Sequence, residues 1–163
     1  MLTNYDLEEL CDHYDIPLNG IYMKDQLPKT PKNGNYIINL ESSEGGRNKG
    51  THWTVLVITN KNAFFYDSYG APPAVDIRTF VKKRKGIHLG FNNWIIQDIH
   101  SEYCGYFCLD LLRNISPTHL FESANTYINR FHDDTRKNDG ILRTQFIGEV
   151  HPPELIKRLL KRI

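Results

Sequence analysis

Apolar positions along this chain change period several times, and each change marks an element. Leu7, Leu10, Cys11 and Tyr14 recur at helical spacing behind Thr3 or Asn4, either of which can cap a helix. Pro17 ends that helix near Ile16. "LPKTPKNGN" (27–35) is turn chemistry and "YIINL" (36–40) a short strand. The polar, glycine-rich "ESSEGGRNKGT" (41–51) reads as a mobile loop. The β-branched run "HWTVLVIT" (52–59) predicts a central strand. "TNKN" (59–62) connects it to an antiparallel partner, "AFFYD" (63–67). After the break "SYGAPP" (68–73), "VDIRTFVKKR" (75–84) predicts a helix with Ile77, Phe80 and Val81 inward. "NWIIQD" (93–98) reads as another strand. Helical spacing returns from Cys104 to Asn114, with Phe107 or Cys108, Leu111, Leu112 and Ile115 as the stripe. A helix starts at Ser116-Pro117 and runs to about Arg130. "HDDTRKNDG" (132–140) is a polar loop, "ILRTQFI" a strand, and Pro152-Pro153 opens a last helix. The pattern predicts one α+β domain over residues 1–163, a mainly antiparallel sheet with helices packed on it.

Composition narrows the setting. A chain of 163 residues, 40% hydrophobic, can bury a sizeable core. Mean hydropathy is -0.49 and no apolar run approaches the roughly 20 residues a bilayer needs, so a soluble protein with no membrane partner is expected. The start, "MLTNYDLEELCDHYD", is acidic and polar and carries no secretory pattern. Three cysteines without a regular framework point to a reducing compartment. A net charge of +1 gives no general case for nucleic-acid binding. The tail "PPELIKRLLKRI" is the local exception. Leu155, Ile156, Leu159, Leu160 and Ile163 share one helical face; Lys157, Arg158, Lys161 and Arg162 share the other. A packed helix with solvated charges is the plainer reading, and contact with DNA or an acidic partner the sharper one.

Three polar positions fall at the ends of predicted elements. His52 starts a strand, Asp67 ends the next, and Cys104 starts a helix. A turn near 59–62 places position 52 opposite roughly 67–70, so His52 and Asp67 become neighbours. A carboxylate beside a histidine fixes its tautomer and favours the imidazolium. Imidazolium and helix N-terminus both favour a thiolate, so Cys104 has the setting of a nucleophile. Its backbone N–H, in the first helical turn, is an oxyanion donor, and the Gln97 amide is a candidate second donor or simply the end of a strand. Cys108, one turn on, and Cys11 fit the core better. Gly105 lets another backbone approach closely, that of a substrate or of a packed sheet. His100, Cys104 and Cys108 recur at i, i+4 and i+8 and with His52 make a formal zinc set, but Ser101-Glu102-Tyr103 reads as a loop that breaks the shared face. No metal or cofactor is expected.

Taken together, "GTHWTVLVI", "YDSYGAPP" and "QDIHSEYCGYFCLDLL" resemble the adenovirus maturation protease family, which is related to the ubiquitin-like-protein-specific cysteine proteases. The shared pattern is a His-Trp pair, an acidic residue before an aromatic-Gly turn, and a Gln about seven residues ahead of Cys-Gly-x-Phe. His52-Trp53, Asp67 with Tyr69-Gly70, Gln97 and Cys104-Gly105-Tyr106-Phe107 fill those places, over about residues 50–115. "IPLNGIYMKDQLP" (16–28) looks like proteases of virophages and polinton-type elements. The resemblance implies a papain-like apparatus in circularly rearranged order. In it His52 is general base, Asp67 its orienter, Cys104 the nucleophile and Gln97 the oxyanion donor. It further implies cleavage after small residues through a narrow aromatic channel, for which Trp53, Tyr69 and Trp94 are candidates. A maturation protease acting on capsid or core precursors, in the virion and the host cytoplasm or virus factory, is the favoured expectation. A deconjugating protease for ubiquitin-like proteins and an inactive binding module are the alternatives.

Overall fold

The computed structural model describes residues 1–43 and 52–147. Most of the glycine-rich stretch and the basic C-terminal segment, with its expected helix, lie outside the described residues.

Helix α1 (Asn4–His13) opens with a reciprocal cap: the Asp6 N–H donates to Thr3 Oγ1, and the Thr3 N–H donates to Asp6 Oδ2 at 2.7 Å. Leu7, Leu10 and Cys11 are buried behind it. Strands β1 (Gly20–Met23), β2 (Gly34–Asn39), β3 (Trp53–Ile58), β4 (Asn62–Tyr66) and β5 (His88–Phe91) form one sheet in that order. Pairing is antiparallel through the centre, β2–β3–β4, and parallel at both edges, β1–β2 and β4–β5. The expected antiparallel core is therefore present, within a mixed sheet. Every residue of β3 is buried, because helices cover both faces; this explains its unbroken apolar run.

The pleat sorts side chains into two cores. Val55, Val57, Phe64 and Tyr66 face α1, α3 (Cys104–Asn114), α4 (Leu120–Asn129) and α5 (Thr135–Ile147). Leu56, Ile58, Ala63 and Phe65 face α2 (Val75–Lys82) through Ile77, Phe80 and Val81. A 3₁₀ turn, Pro117–His119, leads into α4 at the place where Ser116-Pro117 predicts a start.

Three expectations are corrected. Residues 93–98 form no strand: β5 precedes them, and "NWIIQD" is an irregular crossing segment whose Ile96 and Gln97 N–H groups both donate to the Ser68 carbonyl. From Thr135 on, the polar loop expected at 132–140 and the strand expected over "ILRTQFI" are together α5, which seats Asn138, Leu142 and Phe146 in the interior at a helical period of four. Strands β1 and β5 were not foreseen; no alternation of buried and exposed residues marks either.

Candidate active site

The β3–β4 hairpin brings the first two groups together. Its register, Ile58↔Ala63 through Val55↔Tyr66, carries His52 to the level of Asp67 and Tyr69 beyond the last paired residues. His52 Nε2 lies 2.6 Å from Asp67 Oδ1, and the Tyr69 ring stacks on the imidazole at 4.6 Å between centroids. Asp67 is almost wholly buried, and its placement is over-determined. Its Oδ1 also accepts the Tyr69 N–H at 2.8 Å. Asn92 clamps its backbone, with Oδ1 accepting the Asp67 N–H at 3.0 Å and Nδ2 donating to the Asp67 carbonyl at 2.6 Å. Gly70 makes the turn beyond at a φ of +72°, where a Cβ would stand 2.8 Å from the Trp94 carbonyl carbon.

Cys104 enters from the other side as the first residue of α3, and its thiol is near enough to His52 to help raise the ring's pKa. With Nε2 committed to Asp67, Nδ1 is the ring nitrogen left for the thiol. No side chain caps α3, and the Cys104 N–H belongs to the first turn, which has no intrahelical acceptor. Burial works against a charged His52 ring. The hydrogen bonds from Asp67 and Cys104, and their charges, outweigh it and raise the imidazole from 6.5 to about 9. The other thiols sit in unlike surroundings. Burial first, then Asp12 and Glu8, pushes Cys11 up to about 12. Burial holds Cys108 well above the ordinary thiol range. Both fit the core role read from their spacing.

Gln97 is fully buried at the same end of the sheet. Its Oε1 accepts from Ser68 Oγ at 2.5 Å, and its Nε2 donates to Ser101 at 3.0 Å (carbonyl) and 2.8 Å (Oγ). The segment carrying it is tied to α5: Asp98 N–H donates to Asp139 Oδ1 and Asn138 Nδ2 to the Ile96 carbonyl. Among the described residues no group of three His, Cys, Asp or Glu has a metal-holding arrangement. His100 lies in a turn outside α3, so it does not share a helical face with Cys104 and Cys108.

The expected substrate-contact residues divide. Tyr69 lies on the imidazole. Trp53 is buried, donates its indole N–H to the Leu2 carbonyl at 2.9 Å, and lines a cavity of about 470 Å³ with Leu2, Ile21, Met23 and Asn39. Trp94 is half-buried against the core. At Gly105 an added Cβ would meet Leu2 and Leu7 side chains at 3.0–3.3 Å, so its missing side chain serves the packing of α3 against the N-terminal segment. Sequence reasoning missed Ser68, Asn92 and Ser101. Ser68 stands directly after Asp67 in "YDSYG", the one signal that could have singled it out.

No family model and no curated protein matches the chain. Among solved structures it is similar to the crystal structure of the ASFV pS273R protease, at 16% identity over 76% of this chain and 64% of that one, with a TM-score of 0.45. The selenomethionine form of that protease gives 16% identity, 76% and 65% coverage and a TM-score of 0.41. The chain thus spans under two thirds of the length of the protease it resembles.

Proposed function

We propose that the protein is a cysteine endopeptidase with a papain-like apparatus. The observation that carries this reading is an imidazole held between a buried carboxylate, at 2.6 Å, and a cysteine on the first turn of a helix. In the proposed reaction the Cys104 thiolate attacks the peptide carbonyl while His52 holds the proton as imidazolium. The Cys104 N–H and the Gln97 amide receive the oxyanion. Collapse breaks the C–N bond as His52 gives its proton to the leaving amine. Water, deprotonated by His52, then hydrolyses the thioester and restores the thiolate. Asp67 keeps the ring oriented and favours its charged form.

Maturation of capsid or core precursors at small-residue (Gly/Ala) sites is the proposed role, in the virion and virus factory, with DNA contact through the basic segment 154–163. The role and the cleavage sites rest on the motif resemblance, and the DNA contact on the basic residues Lys157, Arg158, Lys161 and Arg162 of that segment. The test is to incubate the protein with candidate precursors beside Cys104→Ala, and to map iodoacetamide labelling at neutral pH. Cleavage that depends on Cys104, with labelling there in preference to Cys11 and Cys108, is the expected result. Turnover surviving in Cys104→Ala would sink the reading, and cleavage of a ubiquitin-like fusion instead of a precursor would replace the substrate class.

A further inference from the structure

We infer that Ser68 is a positioning residue for the oxyanion donor: its hydroxyl holds the Gln97 side-chain amide with the NH₂ turned into the site. The inference rests on the reading of Gln97 given above.

Amide orientation follows from chemistry alone. The Ser101 carbonyl can only accept, and it lies 3.0 Å from one terminal atom of Gln97, so that atom is the nitrogen. Oε1 therefore faces Ser68, whose Oγ can donate, at 2.5 Å. Both residues are buried, at 1% and 0% exposure, so water does not stand in for this hydroxyl. The nitrogen side is contested. Two N–H hydrogens face the Ser101 carbonyl, Ser101 Oγ at 2.8 Å and Tyr69 Oη at 3.4 Å. An oxyanion must take one of those hydrogens from Ser101 or Tyr69. At that moment the Ser68 bond is the anchor that does not change. A donor on Oε1 also polarises the amide and strengthens its N–H groups toward an anion.

The backbone supplies a control within the same residue. The Ser68 carbonyl accepts the N–H of Ile96 at 2.8 Å and of Gln97 at 3.0 Å. Removing only the hydroxyl leaves both of these bonds, so the segment stays in place while the amide loses its stop.

The experiment compares Ser68→Ala, Gln97→Ala and the double variant on a peptide amide substrate, alongside the rate of Cys104 alkylation by iodoacetamide. Alkylation forms no oxyanion and reports the thiol–imidazole pair alone. One oxyanion donor is worth about 100- to 1000-fold in kcat, so Ser68→Ala should lose roughly tenfold and less than Gln97→Ala. Its alkylation rate should be unchanged, and the double variant should be no worse than Gln97→Ala. Ser68→Cys fills the space but donates weakly, so it should resemble Ser68→Ala. Full kcat in Ser68→Ala or Ser68→Cys, independent losses in the double variant, or a parallel fall in alkylation would each overturn the inference. Should Ser68→Ala not fold, Ser68→Cys decides alone. Failure of the peptidase reading is separately visible as activity in Cys104→Ala.

Discussion

Asp67→Asn removes one negative charge from the site while leaving its hydrogen bonds in place. A single oxygen, Asp67 Oδ1, meets both His52 Nε2 at 2.6 Å and the Tyr69 N–H at 2.8 Å, and an asparagine carbonyl oxygen can occupy that point. The perturbation is therefore electrostatic. Burial disfavours the charged ring, yet the neighbours raise the imidazole from 6.5 to about 9. A rise of that size corresponds to roughly 3 kcal/mol in favour of the charged form. Without the Asp67 charge, burial is opposed by Cys104 and by a weaker, uncharged hydrogen bond to the amide oxygen, and the ring should titrate at lower pH, by about one unit. The leaving amine needs a protonated His52, so the alkaline limb of kcat/KM should fall near pH 9 in the wild type and move acidward in the variant. Ring titration followed by NMR gives the same quantity without turnover. Linkage adds a stability signature. The stabilisation from His52 is complete below 6.5 and lost as pH rises through about 9, so unfolding free energy should fall across that window, and fall less in Asp67→Asn. An alkaline limb and a ring titration that both stay where the wild type has them would refute the electrostatic account.

Other outcomes follow from the packing. Gly105→Ala should change stability by less than about 1 kcal/mol and leave KM intact, since helix propensity offsets the push on Leu2; a collapse of kcat/KM would return Gly105 to the substrate path. Asn92→Ala strips the clamp from both backbone groups of Asp67 and should cost about 2 kcal/mol in urea unfolding, with a loss of kcat. Arg130→Ala leaves Asp110, fully buried and otherwise held by Gln145, without its cation; a loss of about 3 kcal/mol is expected by thermal or chemical denaturation. Gly70→Ala should destabilise by more than about 1 kcal/mol, because the left-handed backbone and the Trp94 carbonyl both reject a Cβ.

Elements with a clean period and a clear breaker were legible in the sequence: α1 behind Thr3, the β3–β4 hairpin around "TNKN", α2, and α3 from Cys104. The misreadings share a cause. "NWIIQD" is apolar enough for a strand, yet its backbone is satisfied by the Ser68 carbonyl rather than by a ladder. "TRKND" looks like a loop because α5 turns Asn138 and Asp139 inward, to anchor the neighbouring segment, instead of an apolar stripe. At the site, His52, Asp67 and Cys104 could be picked out because each stands at an element end, whereas Gln97, in a segment that forms no strand, was legible through the motif resemblance. The residues that hold these four could not be picked out. Ser68 and Asn92 act through pairs 29 and 25 positions apart, and no local pattern encodes such distances.

Strand order that follows chain order has a kinetic consequence. Each ladder joins strands consecutive in sequence, and the tightest of them, β3–β4, closes over the Thr59–Asn62 turn. Such pairings incur little loop-closure entropy and form early. The imidazole and its carboxylate thus come together through a short-range hairpin, whereas the sulfur of Cys104 reaches them only through the packing of α3 on the sheet. A chain halted before that packing carries the imidazole without the thiol.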